Sequence, residues 1–153
     1  MSQPTCLFAR FVRHTFASMP FIHTLAVRFR DLDLFGHVNN AVYLTYLEEA
    51  RIAFMTHTGI RNWQDRSRST IVAHIDIDYR APAKLGDTLE LVLTVSRIGN
   101  RSFSLHYEVT QIDTRTRIAE ANSVQVCYDF EADHVIALPE AWLASLKFHQ
   151  AIS

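Results

Sequence analysis

Ten consecutive residues concentrate the groups able to do chemistry: Asp31-Leu32-Asp33-Leu34-Phe35-Gly36-His37-Val38-Asn39-Asn40. Two carboxylates, an imidazole and two amides surround a single glycine. Directly after them Tyr43, Leu44, Leu47, Ala50 and Phe54 recur at helical spacing, which predicts a helix from Ala41 to Thr58. The first N–H groups of a helix have no partner within it, and its N-terminus carries roughly half a positive charge. A carboxylate and an imidazole beside such an end combine a base with a place for developing negative charge. That is the equipment of acyl transfer.

A sheet must hold this loop in place. Thr24 to Arg30 alternates, with Leu25, Val27 and Phe29 on one face, and predicts the strand that leads into it. Gly59 stops the helix, and Arg61 to Ser69 reads as a polar surface loop. The period then changes to two. Ile71, Ala73, Ile75, Ile77 and Tyr79 share one face, His74, Asp76, Asp78 and Arg80 the other, and Pro82 ends the run. Leu89, Leu91, Leu93 and Val95 make the next stripe, followed by a Gly99-Asn100 turn. Phe103, Leu105, Tyr107 and Val109 make a third. Ile118 to Phe130 makes a fourth, where Val124, Val126 and Tyr128 share a face. Pro139 opens a short C-terminal helix carrying Trp142, Leu143 and Leu146. Short connections force antiparallel neighbours. The expected fold class is α+β: a curled antiparallel sheet of about five strands wrapped around one long helix, plus the short C-terminal helix.

Composition bounds the function. At 153 residues and 48% hydrophobic, the chain suits one domain with a real core. A formal net charge of −1 argues against a nucleic-acid binder. Cys6 and Cys127 are too few for a disulfide framework, so the cytoplasm is the expected compartment. No apolar run is long enough to span a bilayer. The first thirty residues hold Arg10, Arg13, Arg28 and Arg30 but no acid. Residues 1–20 are read as a loosely attached extension, with Met19 a candidate start, and residues 21–150 as the domain. The eight histidines show no metal-ligand spacing, so no metal is expected. There is no Gly-x-Ser-x-Gly elbow and no phosphate loop.

The run Asp-x-Asp-x-x-Gly-His-Val-Asn-Asn-x-x-Tyr, from Asp31 to Tyr43, resembles the signature of hotdog-fold acyl-CoA thioesterases of the 4-hydroxybenzoyl-CoA thioesterase type. Two further segments agree with it. The stretch from Ile75 to Asp87 is similar to that family's second strand and following turn, and Leu138-Pro139 resembles its closing dipeptide before the last helix. The resemblance runs from about His23 to Leu146 and rests on three motifs in the family's order. It implies a helix wrapped in a sheet, and homodimers or homotetramers with active sites at the subunit interface. It implies an acyl-CoA substrate, or an acyl carrier protein, and no cofactor, coenzyme A being part of the substrate. The catalytic carboxylate of the aryl-CoA members matches Asp33, and their carbonyl-polarising N–H matches Asn40. In the plant acyl-carrier thioesterases the histidine matching His37 is catalytic, whereas their catalytic asparagine falls on Phe35, a departure from that pattern.

On this reading Asp33 is the general base for water, or the nucleophile that forms a mixed anhydride; its structural alternative is a loop cap. Asp31 is expected to bond loop N–H groups, Arg30 or Arg51. His37 positions water, orients Asp33 or donates to the leaving thiolate, or else only holds the loop. Asn40 would act through its backbone N–H; Gly36, Val38, Asn39 and Tyr43 are placed around the substrate. Arg80, Lys84, Arg97 and Arg101 are candidate partners for the phosphates of coenzyme A, ordinary surface charge being the alternative. Glu48, Glu49 and Arg51 are expected on the helix surface. Two other functions fit the fold. A non-catalytic acyl-thioester binder would keep affinity without turnover. An enoyl-thioester hydratase or dehydratase resembles Asp-x-Asn-Pro-x-His, whose longer acid-to-histidine spacing and proline are missing here.

Overall fold

The computed structural model describes residues 19–62, 64 and 67–151. The expected extension before Met19 lies outside the described residues. β1 spans Phe21–Ala26, and Phe29–Asp31 forms one turn of 3-10 helix. α1 spans Asn40–His57. Four longer strands follow: β2 Arg68–Tyr79, β3 Thr88–Ile98, β4 Ser102–Gln111 and β5 Arg117–Asp129. A two-residue strand, β6 His134–Val135, and the helix α2, Glu140–Phe148, close the chain.

All pairings are antiparallel, in the order β1-β3-β4-β5-β2, with β6 added to β5. The sheet curls around α1, whose Tyr46, Leu47, Ala50 and Phe54 are fully buried against Leu89, Leu91, Leu93, Leu105 and Tyr107. This is the expected α+β arrangement, with one short strand more. Among the described residues no helix is long and apolar enough to cross a membrane.

The first strand is shorter and earlier than its alternation suggests. It stops at Ala26 because the Asp31 carboxylate accepts the Arg28 N–H at 3.0 Å and tightens the chain into the 3-10 turn. Phe29 therefore leaves the face of Leu25 and Val27 and stands in solvent. Gly59 does stop α1, with φ +74°, a conformation only glycine adopts freely.

β2 departs from a single phase. A bulge between Val72 and His74 inserts one residue against β5. Ile75, Ile77 and Tyr79 pair with the inward Ser123, Ala121 and Ala119, but before the bulge it is Thr70 and Val72 that pair with the inward Cys127 and Gln125. One extra residue flips the faces, so Ile71 is turned outward. On β5 the face of Val124, Val126 and Tyr128 is the outer one; the buried face is Ala119, Ala121, Ser123, Gln125 and Cys127. Burial pushes the Cys127 thiol up to about 11, so it stays a protonated core group.

Candidate active site

The loop from Asp31 to Asn40 is built by its own carboxylates. Asp33 Oδ1 accepts the N–H of Phe35 at 2.8 Å and of His37 at 3.2 Å. The Asp33 N–H donates to the His37 carbonyl at 2.7 Å, and Gly36, at φ +76°, donates to the Asp33 carbonyl. A turn this tight needs a left-handed residue, which Gly36 supplies at little cost. Asp33 Oδ2 accepts no hydrogen bond among the described residues, and the side chain lines an open cleft.

Asp31 does something different from Asp33. It is 4% exposed, and its Oδ2 accepts from Arg28 N and Nε and, at 2.7 Å, from the Tyr46 hydroxyl on α1. Its carbonyl accepts the Asn39 N–H. Burial alone would raise its pKa, but the hydrogen bonds from Tyr46 and Arg28 outweigh it and hold the carboxyl below the usual range. Burial and this bond push the Tyr46 hydroxyl up. The expected partners Arg30 and Arg51 are thus replaced by Arg28 and Tyr46. Tyr46 escaped notice because it lies outside the repeat of Tyr43, Leu44, Leu47, Ala50 and Phe54, and nothing beside it in sequence marks it as a partner for Asp31.

The start of α1 is fixed from three sides. Asn39 caps it by accepting the Ala41 N–H at 2.9 Å. Val38 donates to the Ala83 carbonyl, and His37 bridges to Lys84 as paired backbone. From β2, the Tyr79 hydroxyl donates to the Asn40 carbonyl at 2.9 Å. The Asn40 N–H finds no acceptor among the described residues and points out of the positive end of the helix.

These elements enclose a cleft of about 400 Å³, lined among others by Asp33, His37, Val38, Asn40, Tyr43 and Arg80. Six of the eleven expected site residues therefore meet. Gly36 and Asn39 shape the loop and the cap without lining the cleft. Tyr79, Ala81 and Pro82 line it and were not expected as site residues, although the end of the alternating run marked them. Tyr43 is half wall and half core: its hydroxyl accepts the Ala83 N–H, and its ring meets Tyr79 edge-on.

The expected cationic patch is dispersed. Arg80 reaches the cleft, but its guanidinium is held by Asp78 at 3.2 Å and Glu120 at 3.3 Å. Lys84 is exposed on the adjoining turn. Arg97 and Arg101 flank the β3–β4 turn, at the opposite end of the sheet from the cleft, because β3 enters beside Val27 and runs the whole sheet before reaching them. Within one chain they are not part of this site. Arg51 is also not on the surface as expected. It is 9% exposed, turned under α1, with Glu48 at 4.0 Å.

The profile of a family described as the Thioesterase-like superfamily matches residues 27–146, from the end of β1 to α2. A long-chain acyl-CoA thioesterase, FadM of Escherichia coli, is 32% identical over 74% of this chain and 87% of its own. A 1,4-dihydroxy-2-naphthoyl-CoA hydrolase of Synechococcus elongatus is 29% identical over 74% of this chain and 85% of its own. Among solved structures, a 1,4-dihydroxy-2-naphthoyl-CoA thioesterase from Synechocystis superposes with a TM-score of 0.75 at 24% identity, covering 84% of this chain and 96% of that one, a likeness of fold. The chain belongs to the thioesterase-like superfamily and is a thioesterase of the hotdog fold.

Proposed function

We propose that this thioesterase hydrolyses acyl-CoA thioesters, with Asp33 as its reacting carboxylate and the first N–H of α1 as its oxyanion site. One observation carries the reading: the open oxygen of Asp33 and the Asn40 N–H converge on the same cleft. Asp33 Oδ2 takes a proton from water as the water oxygen bonds to the carbonyl carbon. Alternatively it bonds to that carbon itself, and water then opens the anhydride. Either way the carbonyl oxygen gains charge facing the helix end, the C–S bond breaks, and the thiolate leaves with a proton for which His37 is the nearest imidazole on the cleft wall. The relatives named for long-chain and for aryl acyl-CoA substrates support coenzyme A thioesters as the class. The aryl type resembling 4-hydroxybenzoyl-CoA thioesterase is one member of that range, and an acyl carrier protein is the other carrier to test.

The working unit is a homodimer, or a pair of dimers, with the cleft at the subunit interface. Two features support this. Among the described residues β2 is an edge strand with its outer ladder unpaired; its Tyr79 is exposed on the cleft wall, and Ile71 and Val72 are exposed toward the other end of the strand. The cytoplasm is the compartment that fits two scattered cysteines and a coenzyme A substrate.

Thiol release from benzoyl-, 4-hydroxybenzoyl-, acetyl-, hexanoyl-, decanoyl- and palmitoyl-CoA, with Asp33→Asn alongside, tests the proposal. Turnover that disappears in the variant is the expected result. Binding of these thioesters without turnover would replace the reading with that of a binding protein.

A further inference from the structure

The backbone that carries the Asn40 N–H is pinned mostly by its own neighbours. The Asn39 carbonyl accepts the Val42 N–H at 2.9 Å, and the Asn39 side chain accepts the Ala41 N–H at 2.9 Å. One further bond reaches it from the sheet. The Tyr79 hydroxyl, 39 residues on, donates to the Asn40 carbonyl at 2.9 Å. The peptide between Asn40 and Ala41 is therefore held at both polar groups, its carbonyl by β2 and its N–H by the cap. With the Asn39 carbonyl fixed on the other side of the Asn40 Cα, the Asn40 N–H has little freedom to turn.

Tyr79 is itself held in place. It ends β2, paired with Ala119, and the Ile118 carbonyl accepts the next two N–H groups, Arg80 at 2.8 Å and Ala81 at 3.2 Å. Its ring meets the Tyr43 ring edge-on, with centroids 5.3 Å apart. The Tyr43 hydroxyl accepts the Ala83 N–H, and the Ala83 carbonyl accepts the Val38 N–H. The end of β2 and the segment after it thus grip both the loop and the helix start. The Tyr79 hydroxyl is not required for stability, however. The side chain is 47% exposed on the wall of an open cleft. A phenol with water in reach gains little by exchanging that water for a carbonyl. What the bond adds is direction.

We propose that Tyr79 is a positioning residue for the reaction: through the Asn40 carbonyl it aims the Asn40 N–H at the thioester carbonyl oxygen. Tyr79 itself touches no reacting atom. A donor stabilises an oxyanion best when it is fixed before the charge develops, and a small displacement weakens it. The proposal rests on the thioesterase reading and adds to it a residue of the sheet on which the helix end depends.

The experiment measures kcat and KM of Tyr79→Phe, Asn40→Pro and the double variant, with the acyl-CoA thioester that the wild type turns over fastest. Melting temperature and exchange of the Ala41 amide hydrogen, read by NMR, are followed in Tyr79→Phe. The phenylalanine keeps the ring on Tyr43, so the melting temperature should move by no more than about 2 °C. kcat should fall about 10–100-fold with KM nearly unchanged. In the Asn40→Pro background, where the N–H to be aimed is gone, Tyr79→Phe should cost nothing further. Ala41 exchange should speed up as the helix start loosens. An unchanged kcat overturns the proposal, whatever the melting temperature does. So does a rise confined to KM, or an equal loss in both backgrounds, which would mean that Tyr79 acts on the substrate instead of on Asn40. If the wild type hydrolyses no thioester, the thioesterase reading fails separately. Hydrogen exchange then decides: faster Ala41 exchange in Tyr79→Phe upholds the hold on the Asn40 backbone, and unchanged exchange overturns it.

Discussion

The two ends of α1 each open onto a cavity. At the N-terminal end, about 400 Å³ of cleft is walled by Asp33, His37 and the start of the helix. At the C-terminal end, about 260 Å³ is walled by His57, Thr58, Phe148 and His149. Both ends hold imidazoles, so the presence of a histidine does not separate them. What separates them is the direction of the helix and the state of the side chains. The N-terminal end presents a free N–H and the positive pole. At the C-terminal end the Thr58 hydroxyl and N–H return to the carbonyls of α1, and the pole is negative. His149 is buried against the rings of Phe54, His57 and Phe148, with Nδ1 on the Met19 carbonyl. It ties the C-terminal helix to the start of β1. A negative charge placed at the first end would be stabilised and one placed at the other repelled.

The strongest way to break this comparison is at the N-terminal end. Asp33→Asn keeps an oxygen for the N–H groups of Phe35 and His37 but removes the proposed reacting carboxylate, so the loop should hold while kcat falls about 10²–10⁴-fold. Full turnover in the variant would refute the assignment of Asp33. Asn40→Pro is sharper. Proline is favoured at the first helical position, and Asn39, at φ −59° and ψ 139°, already has the backbone that precedes a proline. The substitution therefore deletes one N–H with little else disturbed. A loss of about 10²–10³ in kcat is expected, against a small effect for Asn40→Ala, whose N–H survives. Equal losses in the two variants would move the oxyanion site elsewhere.

Tyr46→Phe probes how the loop is held rather than what it does. It removes one of the hydrogen bonds on a buried carboxylate, for a loss of about 1.5–3 kcal/mol in unfolding free energy. The pH dependence follows from the lowered pKa of Asp31. That carboxyl stabilises the fold fully above the ordinary carboxylate pKa of about 3.9, and the contribution is lost as pH falls through its lower folded value. In the variant the shift shrinks, so the difference in stability should be largest near neutrality and should narrow in acid. Denaturation at neutral and acid pH measures it; a gap that widens in acid would show that Tyr46 acts through packing alone.

Most of the fold was legible because its cues are local. Alternation along Leu89 to Val95 and Phe103 to Val109, the Gly59 stop and the Pro139 start each depend on neighbours in sequence. The cleft was legible for the same reason: Asp33, His37, Val38 and Asn40 are contiguous. Where reading failed, the deciding contact is distant or shifts the phase. The bulge after Val72 carries no glycine or proline to announce it. Nothing near Arg51 says that its side chain will be 9% exposed under the helix rather than on its surface. Arg97 and Arg101 were grouped with Arg80 by charge and turn position, but strand length sends them to the other end of the sheet.

The smallest expected effect lies at the C-terminal end of α1, and it tests whether the two ends are independent. His57 occupies the last turn of α1, exposed, with its ring against Phe21 and His149. His57→Glu places a negative charge at the negative pole, where like charge costs about 0.3–1 kcal/mol at a surface site. Lost contact with Phe21 adds little, since the ring is exposed. The melting temperature should drop slightly, more at low salt than at high salt, because surface charge is screened. kcat/KM should stay at the wild-type value, as the substitution lies the length of the helix from Asp33. A fall in activity on the scale of Asp33→Asn would mean that the packing of the C-terminal helix against α1 sets the geometry of the cleft, and that α1 couples its two ends instead of separating them.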